Sequence, residues 1–511
     1  MDLDDLQIDN AYNLGGSDDE RERNENAAIL EDLERKKRLR KIAVPTDDKK
    51  VRERLRAYGE PITLFGEGPG DRRDRLKYVQ EQIQHAKGGD AMLEADSSSD
   101  ESEDEGEFYT EGSDDLLRAR KKLARYSLSR AKARIAKQRI EVGLPLVKIV
   151  NARKALYTEM KTFNNLGSQF GDDRPLSTIR FSPNSKLALT TSWTGTTKVW
   201  DLPNLNIVST KRGHSERIGG AAWHPSATLS QSESVVNFAT GGGEGDVKLW
   251  SMSGEKPLAS MSGHSGRVGR VAFHPSGSFV GSAGFDGTWR LWDVGTSKEL
   301  LTQEGHSKEV YALAFQDDGA LAASGGFDAI GRVWDLRTGR TAMVLDGHVK
   351  EILAMDFAPN GYQVATGSGD NTVRIWDLRA LRTQYTIPAH SSSVSDLKFF
   401  RATAENPLSS LDSPLGNQPI NGHNEAADAD VEMNGDKPDP ADDLAKSGLF
   451  LVTAGFDCNV RIWSADEWTM IKNLPTDAGK VMSADISGDG KFIGSASYSR
   501  SFHLFGGDNS L

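Results

Sequence analysis

The sequence predicts an all-β fold, a seven-bladed β-propeller, preceded by a helical and partly disordered N-terminal arm. Three observations carry this. Short apolar strands end in Trp200, Trp250, Trp292, Trp334, Trp376 and Trp463, and Phe505 takes the same place in a seventh unit, with steps of 50, 42, 42, 42, 87 and 42 residues. His214, His264, His306, His348 and His390 stand upstream of five of these strands, 28 residues before the aromatic in the regular units. Asp286, Asp328, Asp370 and Asp457 each stand six residues before a Trp, in a tight turn.

Between His and Trp lie two alternating apolar runs, such as "VGRVAFHP" and "SFVGSAGF", joined by turn residues. Strand, turn, strand, turn, strand at a constant period reads as one four-stranded blade per unit. A single unit cannot bury both its faces, so the units must stack into a closed ring. The chain ends shortly after Phe505, which leaves the last blade without an outer strand. Residues 163–170 are expected to supply it. These residues resemble the WD-repeat family over residues 163–511. The family pattern implies internal hydrogen-bonded networks: His264, Ser282, Asp286 and Trp292; His306, Ser324, Asp328 and Trp334; His348, Thr366, Asp370 and Trp376; His390, Thr453, Asp457 and Trp463. Histidines spread around a ring cannot converge on one metal ion, so these groups are read as structural. Asp172 replaces the first His, while Thr194 and Ser499 replace the first and last Asp. Those two blades are expected to lean more on apolar packing. Eight extra residues in the second unit and forty-five in the sixth (402–446) fall between the first and second strands of a blade, and so leave one face of the disc. The longer insertion, rich in Asp, Asn, Pro and Gly, is expected to be disordered. The opposite face, with the His and Asp turns, is expected to be the freer one.

Bulk composition narrows the function classes. Of 511 residues, 37% are hydrophobic and 27% charged, as in a water-soluble protein. The single cysteine, Cys458, excludes an internal disulfide framework and a cysteine zinc site, and fits a reducing compartment. No apolar run approaches a membrane span, and the acidic start is unlike a secretory signal, so an intracellular protein is expected. No nucleophile, base and orienting group fall at a catalytic spacing, so neither enzyme chemistry nor a cofactor is expected. The net charge of −12 hides segregated blocks: residues 94–107 hold eight acids and no base, and residues 116–140 hold ten Lys or Arg and no acid.

Ahead of the ring the periodicity is helical, and five segments are distinguished. Residues 1–41 are acidic, helical and partly disordered. Residues 42–90 hold two short helices around a Gly/Pro elbow. An acidic Ser-rich linker covers 91–112, a basic helical segment 113–160, and the propeller 163–511. In the elbow, Thr46 or Asp48 can cap a helix with Val51, Leu55 and Tyr58 on one side, ended by Gly59 and Pro61. Asp71 can start a second, with Leu76, Val79 and Ile83 aligned. The stretch between, "GEPITLFGEGPG", fails as a phosphate loop, because it lacks a Gly-Lys-Ser/Thr ending and sets Glu67 where phosphate would lie. As a bare linker it has no use for Ile62, Leu64 and Phe65, which are unfavourable in water. A motif buried in a partner accounts for them; folding back on neighbouring helices is the alternative.

"VPTDDKKVRERLRAYGEPITLFGEGPGDRRDRL" resembles the splicing-factor motif of the pre-mRNA-processing factor 4 family, as do "FYTEGSDDLLRARKKLARYSL", "GDDRPLSTIRFSPNSK" and "NGYQVATGSGDNTVRIWDLR". The resemblance runs from about residue 42 to the end, apart from the acidic tract and the two insertions. It implies a non-enzymatic nuclear scaffold of the U4/U6 and U4/U6·U5 tri-snRNP, acting in pre-mRNA splicing. It further implies binding to pre-mRNA-processing factor 3, to spliceosomal cyclophilin H, to other tri-snRNP proteins and to U4/U6 snRNA. The docking role then falls on Gly59, Glu60, Pro61, Ile62, Leu64, Phe65, Gly68 and Pro69. "WDLR" at Trp334 and Trp376 also resembles the boxes by which some propellers join cullin ligases, which leaves a ubiquitin-ligase substrate receptor as the rival.

In the basic segment Leu116, Leu123, Leu128, Ile135 and Ile140 read as one apolar side of one or two helices. A solvated helix mixes charge signs, and this one does not. Phosphate contacts are therefore expected from Arg118, Lys121, Lys122, Arg125, Arg130, Lys132 and Arg134; neutralisation by the acidic tract upstream is the alternative. "SSSDESEDE" suits an acid-directed kinase, and phosphorylation there would strengthen its hold on the basic helix.

Overall fold

The computed structural model describes residues 48–62, 67–86, 113–143, 145–402, 447–477 and 479–507. Leu64, Phe65, Thr46, the segments 1–41 and 91–112, and insertion residues 403–446 lie outside the described residues.

The chain divides into two units, residues 1–103 and 104–511. In the first, helix α1 (Asp48–Ala57) and helix α2 (Pro69–Ala86) pack through Val51, Leu55 and Leu76, all fully buried. Two helices starting at Asp48 and Pro69 agree with the reading, except that α2 begins two residues before Asp71. The reason is local: the Asp71 carboxylate reaches back to accept the Gly68 N–H at 2.9 Å, so it sits in the first turn rather than before it.

The second unit holds the ring. Strands β1 (Asn164–Phe170) to β28 (Ser501–Gly506) form seven four-stranded antiparallel sheets, six of them meanders of consecutive strands. Third strands such as Trp289–Asp293 pair on both sides, and a bulge falls just before Trp200, Trp292, Trp334, Trp376 and Trp463 where each meets its outer strand. The extra residue twists the outer strand and leaves the indole on the buried face. The ring closes as expected: β1 pairs antiparallel with β28, from Asn164 opposite Gly506 to Phe170 opposite Ser501, so the seventh blade combines the two ends of the ring. Closure removes the two open edges that a fan of sheets would otherwise present.

Neighbouring blades are clamped by a repeated contact that the tryptophan count does not reveal. In three blades the residue after the inner strand reaches to a glycine carbonyl of the next blade. His224 donates from Nε2 to Gly277 at 3.1 Å, His274 to Gly319 at 2.9 Å, and Gln316 from its amide to Gly361 at 2.6 Å. The accepting glycines lie at φ +70°, +80° and +78°. A side chain at Gly277 would run into the His224 ring, so the turn requires glycine both for its conformation and for the close approach.

Among the described residues, two further helices belong to this unit. Helix α3 (Asp114–Val142) is one continuous helix, not two, and α4 (Leu146–Lys161) leads into β1.

Candidate interaction surfaces

The four predicted blade networks are all present. In the third blade His264 Nδ1–H donates to Asp286 at 2.9 Å, and Ser282 Oγ lies 2.7 Å from Nε2 while accepting the Trp292 indole N–H at 2.8 Å. The same chain links His306, Asp328, Ser324 and Trp334 at 2.9, 2.8 and 2.8 Å. It recurs in His348, Asp370, Thr366 and Trp376 (2.8, 2.7, 2.8 Å) and in His390, Asp457, Thr453 and Trp463 (2.8, 2.9, 2.9 Å). A carboxylate only accepts, so each Nδ1 carries the proton and each Nε2 receives the hydroxyl. The order Asp–His–Ser imitates a hydrolase triad, but the hydroxyl is fully buried and already accepts from an indole. Burial raises the Asp370 carboxyl, and hydrogen bonds from Thr372 and His348 outweigh it, leaving it at about 2.

Two blades extend the pattern in ways that spacing by Asp missed. In the second, His214 meets Glu244 at 2.6 Å and Thr240 at 2.7 Å, and Trp250 donates to Thr240 at 2.8 Å. Glu244 stands at the Asp position, so the signal was in the sequence, one methylene longer. In the first, Asp172 accepts from both Thr194 and Thr196 while Trp200 donates to Thr190 at 2.7 Å. That blade therefore has a polar network of its own where a greater reliance on apolar packing was expected. In the last blade Ser497 and Ser499 pair their hydroxyls at 2.6 Å.

The central channel is lined by small residues, Ala222, Ala272, Ala312, Ala314 and Ala354, together with charged ones. Arg180 meets Asp396 at 2.9 Å, and Arg401 bridges Asp317 and Asp356 at 2.9 and 2.8 Å. Burial raises Asp396, but Arg180 and Arg270 prevail and hold it at about 2. A cavity of about 1420 Å³ runs from this channel to the α3 and α4 side chains.

Helix α3 lies across the turns that join first to second strands, the face from which both insertions leave. Leu116, Ala119 and Leu123 are buried with Phe279, Leu301, Leu313 and Leu336. Lys122 donates to Ser278 Oγ at 2.7 Å, Arg134 pairs with Asp318 at 2.8 Å and donates to the Asn360 carbonyl at 3.0 Å, and Gln138 donates to the same carbonyl at 2.9 Å. Arg130 is buried over the Tyr126 ring, 4.0 Å away, and Tyr126 packs against His274. Of the seven phosphate candidates, Lys122, Arg130 and Arg134 thus turn to the propeller, while Arg118, Lys121, Arg125 and Lys132 stay exposed. The single apolar side expected of this helix is also corrected. Leu116 and Leu123 are buried, but Leu128 and Ile135 are exposed. At 100° per residue they sit about a third of a turn away from Leu116, so the five residues never shared a face.

Helix α4 is anchored by Met160, and Phe163 follows it into the same cluster with Phe400, Phe450 and Phe505. Arg153 and Tyr157 both reach Asp466, at 3.0 and 3.3 Å; burial first and then Asp466 raise the phenol to about 12.

In the elbow, α1 ends in a Schellman motif: Gly59 at φ +77°, its N–H on the Arg56 carbonyl (3.1 Å), and Glu60 N–H on the Leu55 carbonyl (3.0 Å). Glu67 is not an empty negative charge. Its two oxygens accept from Arg75 at 2.7 and 3.0 Å, and its carbonyl accepts from Arg72 at 3.0 Å, which fixes the entry to α2. Ile62 is half-buried and Pro61 exposed. Arg337 and Arg379 of the two "WDLR" stretches fold back on Asp335 and Asp377 at 3.0 and 3.1 Å.

Comparison with known proteins gives two family matches. The pre-mRNA processing factor 4 (PRP4) like family matches residues 51–79, which takes in most of α1, the elbow and more than half of α2. The WD domain, G-beta repeat family matches residues 164–201, 205–251, 255–293, 297–335 and 339–377. The chain is 42% identical over 209 residues to U4/U6 small nuclear ribonucleoprotein Prp4 of Homo sapiens, covering 40% of this chain and 39% of the relative. It is 41% identical over 218 residues to WD repeat-containing protein C227.12 of Schizosaccharomyces pombe (42% and 46%), and 31% identical over 191 residues to U4/U6 small nuclear ribonucleoprotein PRP4 of Saccharomyces cerevisiae (36% and 40%). The matched stretch spans about two-fifths of the curated relatives' length.

Proposed function

We propose that this WD-repeat propeller, which carries the pre-mRNA processing factor 4-like motif, is a non-enzymatic scaffold component of the U4/U6 small nuclear ribonucleoprotein and acts in pre-mRNA splicing in the nucleus. The observation that carries the reading is the pairing, in one chain, of that motif at residues 51–79 with the repeats from residue 164 onward. A propeller alone names only a fold. The elbow supports a docking role: Gly59 and the Glu67–Arg75 pair hold the ends of a short loop between two helices that, among the described residues, share three buried apolar side chains. Ile62, Leu64 and Phe65 are the residues we assign to a cyclophilin-type partner, and the ring is the platform for pre-mRNA-processing factor 3 and the remaining tri-snRNP proteins.

The test is affinity purification of the full-length chain from nuclear extract, with sequencing of the RNA and mass spectrometry of the proteins. Recovery of U4 and U6 RNA together with snRNP proteins is the expected outcome. Replacing Leu64 and Phe65 by Ser should remove the cyclophilin and leave the RNA. Recovery of a cullin adaptor without spliceosomal RNA would overturn the reading.

A further inference from the structure

The outward side of α3 carries a second apolar stripe that the propeller leaves uncovered. Leu117, Leu128, Ile135 and Val142 are 51%, 61%, 43% and 86% exposed. Their spacings of 11, 7 and 7 residues keep them within about 20° of one line for about 38 Å of helix. The helix cannot roll to hide them, because Leu116, Ala119 and Leu123 are locked into the blades and Arg134 is held on Asp318. Along one margin of the stripe stand Lys121, Arg125, Lys132 and Arg139, all exposed, in a stretch that holds no acid from residue 116 to 140.

We propose that this stripe docks an amphipathic helix of a partner protein that carries Asp or Glu beside its apolar seam. A seven-residue repeat of exposed aliphatic side chains is the period at which two helices remain side by side over several turns. Charge selects the occupant. Acids facing the cationic margin attract, whereas a second copy of α3 would set like charges together along its whole length. An RNA backbone would engage the same cations but leave four aliphatic side chains in water, which gives it no use for the stripe. The surface lies in the unit of residues 104–511 and goes beyond the ribonucleoprotein assignment, which rests on the elbow motif and the repeats.

The probe is a synthetic four-heptad peptide with Leu in its seam and Glu at the flanking positions, whose own charges keep it from pairing with itself; a twin carries Lys in place of Glu. Both are titrated against the full-length chain by fluorescence anisotropy at about 0.1 M salt, where charges about 10 Å apart still interact. The Glu peptide is expected to bind about tenfold more tightly than its twin. The double variant Leu128→Ser, Ile135→Ser should lose that affinity by a similar factor with an unchanged unfolding temperature, because both side chains face solvent. Lys121→Gln with Lys132→Gln should weaken binding and flatten its salt dependence. Equal affinity for the two peptides, or a Ser variant that binds like the parent, overturns the proposal. A short RNA duplex that binds, loses affinity with the Gln pair and is indifferent to the Ser pair, while the Glu peptide does not bind, gives the surface to RNA and also overturns it. Membership of a ribonucleoprotein is read separately from the RNA recovered with the chain, so either conclusion can fail alone.

Discussion

Two helical stretches precede the ring, and both are short of apolar residues, yet they reach order by different routes. The elbow helices bury Val51, Leu55 and Leu76 against each other and tie the loop ends with Arg75 on Glu67. Helices α3 and α4 bury Leu116, Ala119, Leu123, Met160 and Phe163 in clusters whose other members are blade residues. Among the described residues the elbow helices share three buried apolar side chains, a small core beside that of an independent domain, whereas α3 shares the cooperativity of a ring several hundred residues in size. The difference teaches that "arm" describes two things. One part is suited to being remodelled by a partner, and the other is a fixed strap on the insertion face of the propeller. The basic segment, expected to offer its cations to phosphate, belongs by its packing to the second.

Breaking the strap should have the largest effect. The Asp318 side chain is 3% exposed and Arg134 is its cation. Arg134→Ala leaves a buried carboxylate unpaired, at a cost of about 3 kcal/mol. Adding Asp318→Asn should recover part of that loss, since the uncompensated charge goes with it. Thermal unfolding of the full chain, with hydrogen exchange along α3, reads both. An unchanged melt with fast exchange confined to α3 would show that the helix is an appendage rather than a strap.

An effect of similar size, but confined to acid pH, concerns the clamp beneath the strap. Burial holds the His274 imidazole down to about 4, opposed by its hydrogen bond to Gly319 and reinforced by Arg130 and Lys122 of α3. A histidine depressed on folding contributes stability that is whole above its unfolded value near 6.5 and is lost as pH falls toward the folded value. Between about pH 6.5 and 4 the parent should therefore lose on the order of 3 kcal/mol through this residue. His274→Gln places there the side chain that Gln316 already uses in the next blade. The variant should match the parent at pH 7 and show a flatter decline below pH 6.5, measured by denaturant midpoints across that range. His224, also lowered by burial, supplies a remaining slope. A variant with the parent's full slope would move the acid sensitivity elsewhere.

These outcomes bear on what was legible beforehand. The blades were, because a sheet faces two environments and repeats its pattern wherever a neighbour recurs: Trp200 through Trp463 marked six third strands, and Phe505 with β1 marked the closure. The His–Asp networks followed, except where chemistry was kept and the residue type changed, as in Glu244 for Asp. The clamps were hidden because Gln316 does not look like His224 and His274, and the three are equivalent only as donors to the next blade's glycine. The facing of α3 was hidden for another reason. Its cations fall on every side, so charge gives no direction, and only the angular positions of Leu116 and Leu123 against Leu128 and Ile135 separate the strap face from the open one.

The smallest effect isolates the other member of the comparison. Gly59 ends α1 at φ +77°, and a Cβ there would meet no atom within 4 Å. Gly59→Ala therefore changes nothing by contact and carries only the penalty of a left-handed alanine, about 1 kcal/mol. Where the described helices share three buried apolar side chains that is a large share of the local stability, and in the ring it is nothing. The amides of Gly59 and Glu60, which close the Schellman motif on Arg56 and Leu55, should exchange several-fold faster in the variant. The melting temperature of the propeller should not move. If exchange at those amides is unchanged, the motif does not hold the elbow's first helix. If the ring's melt shifts instead, the elbow draws its order from the blades, and the contrast between the two stretches dissolves.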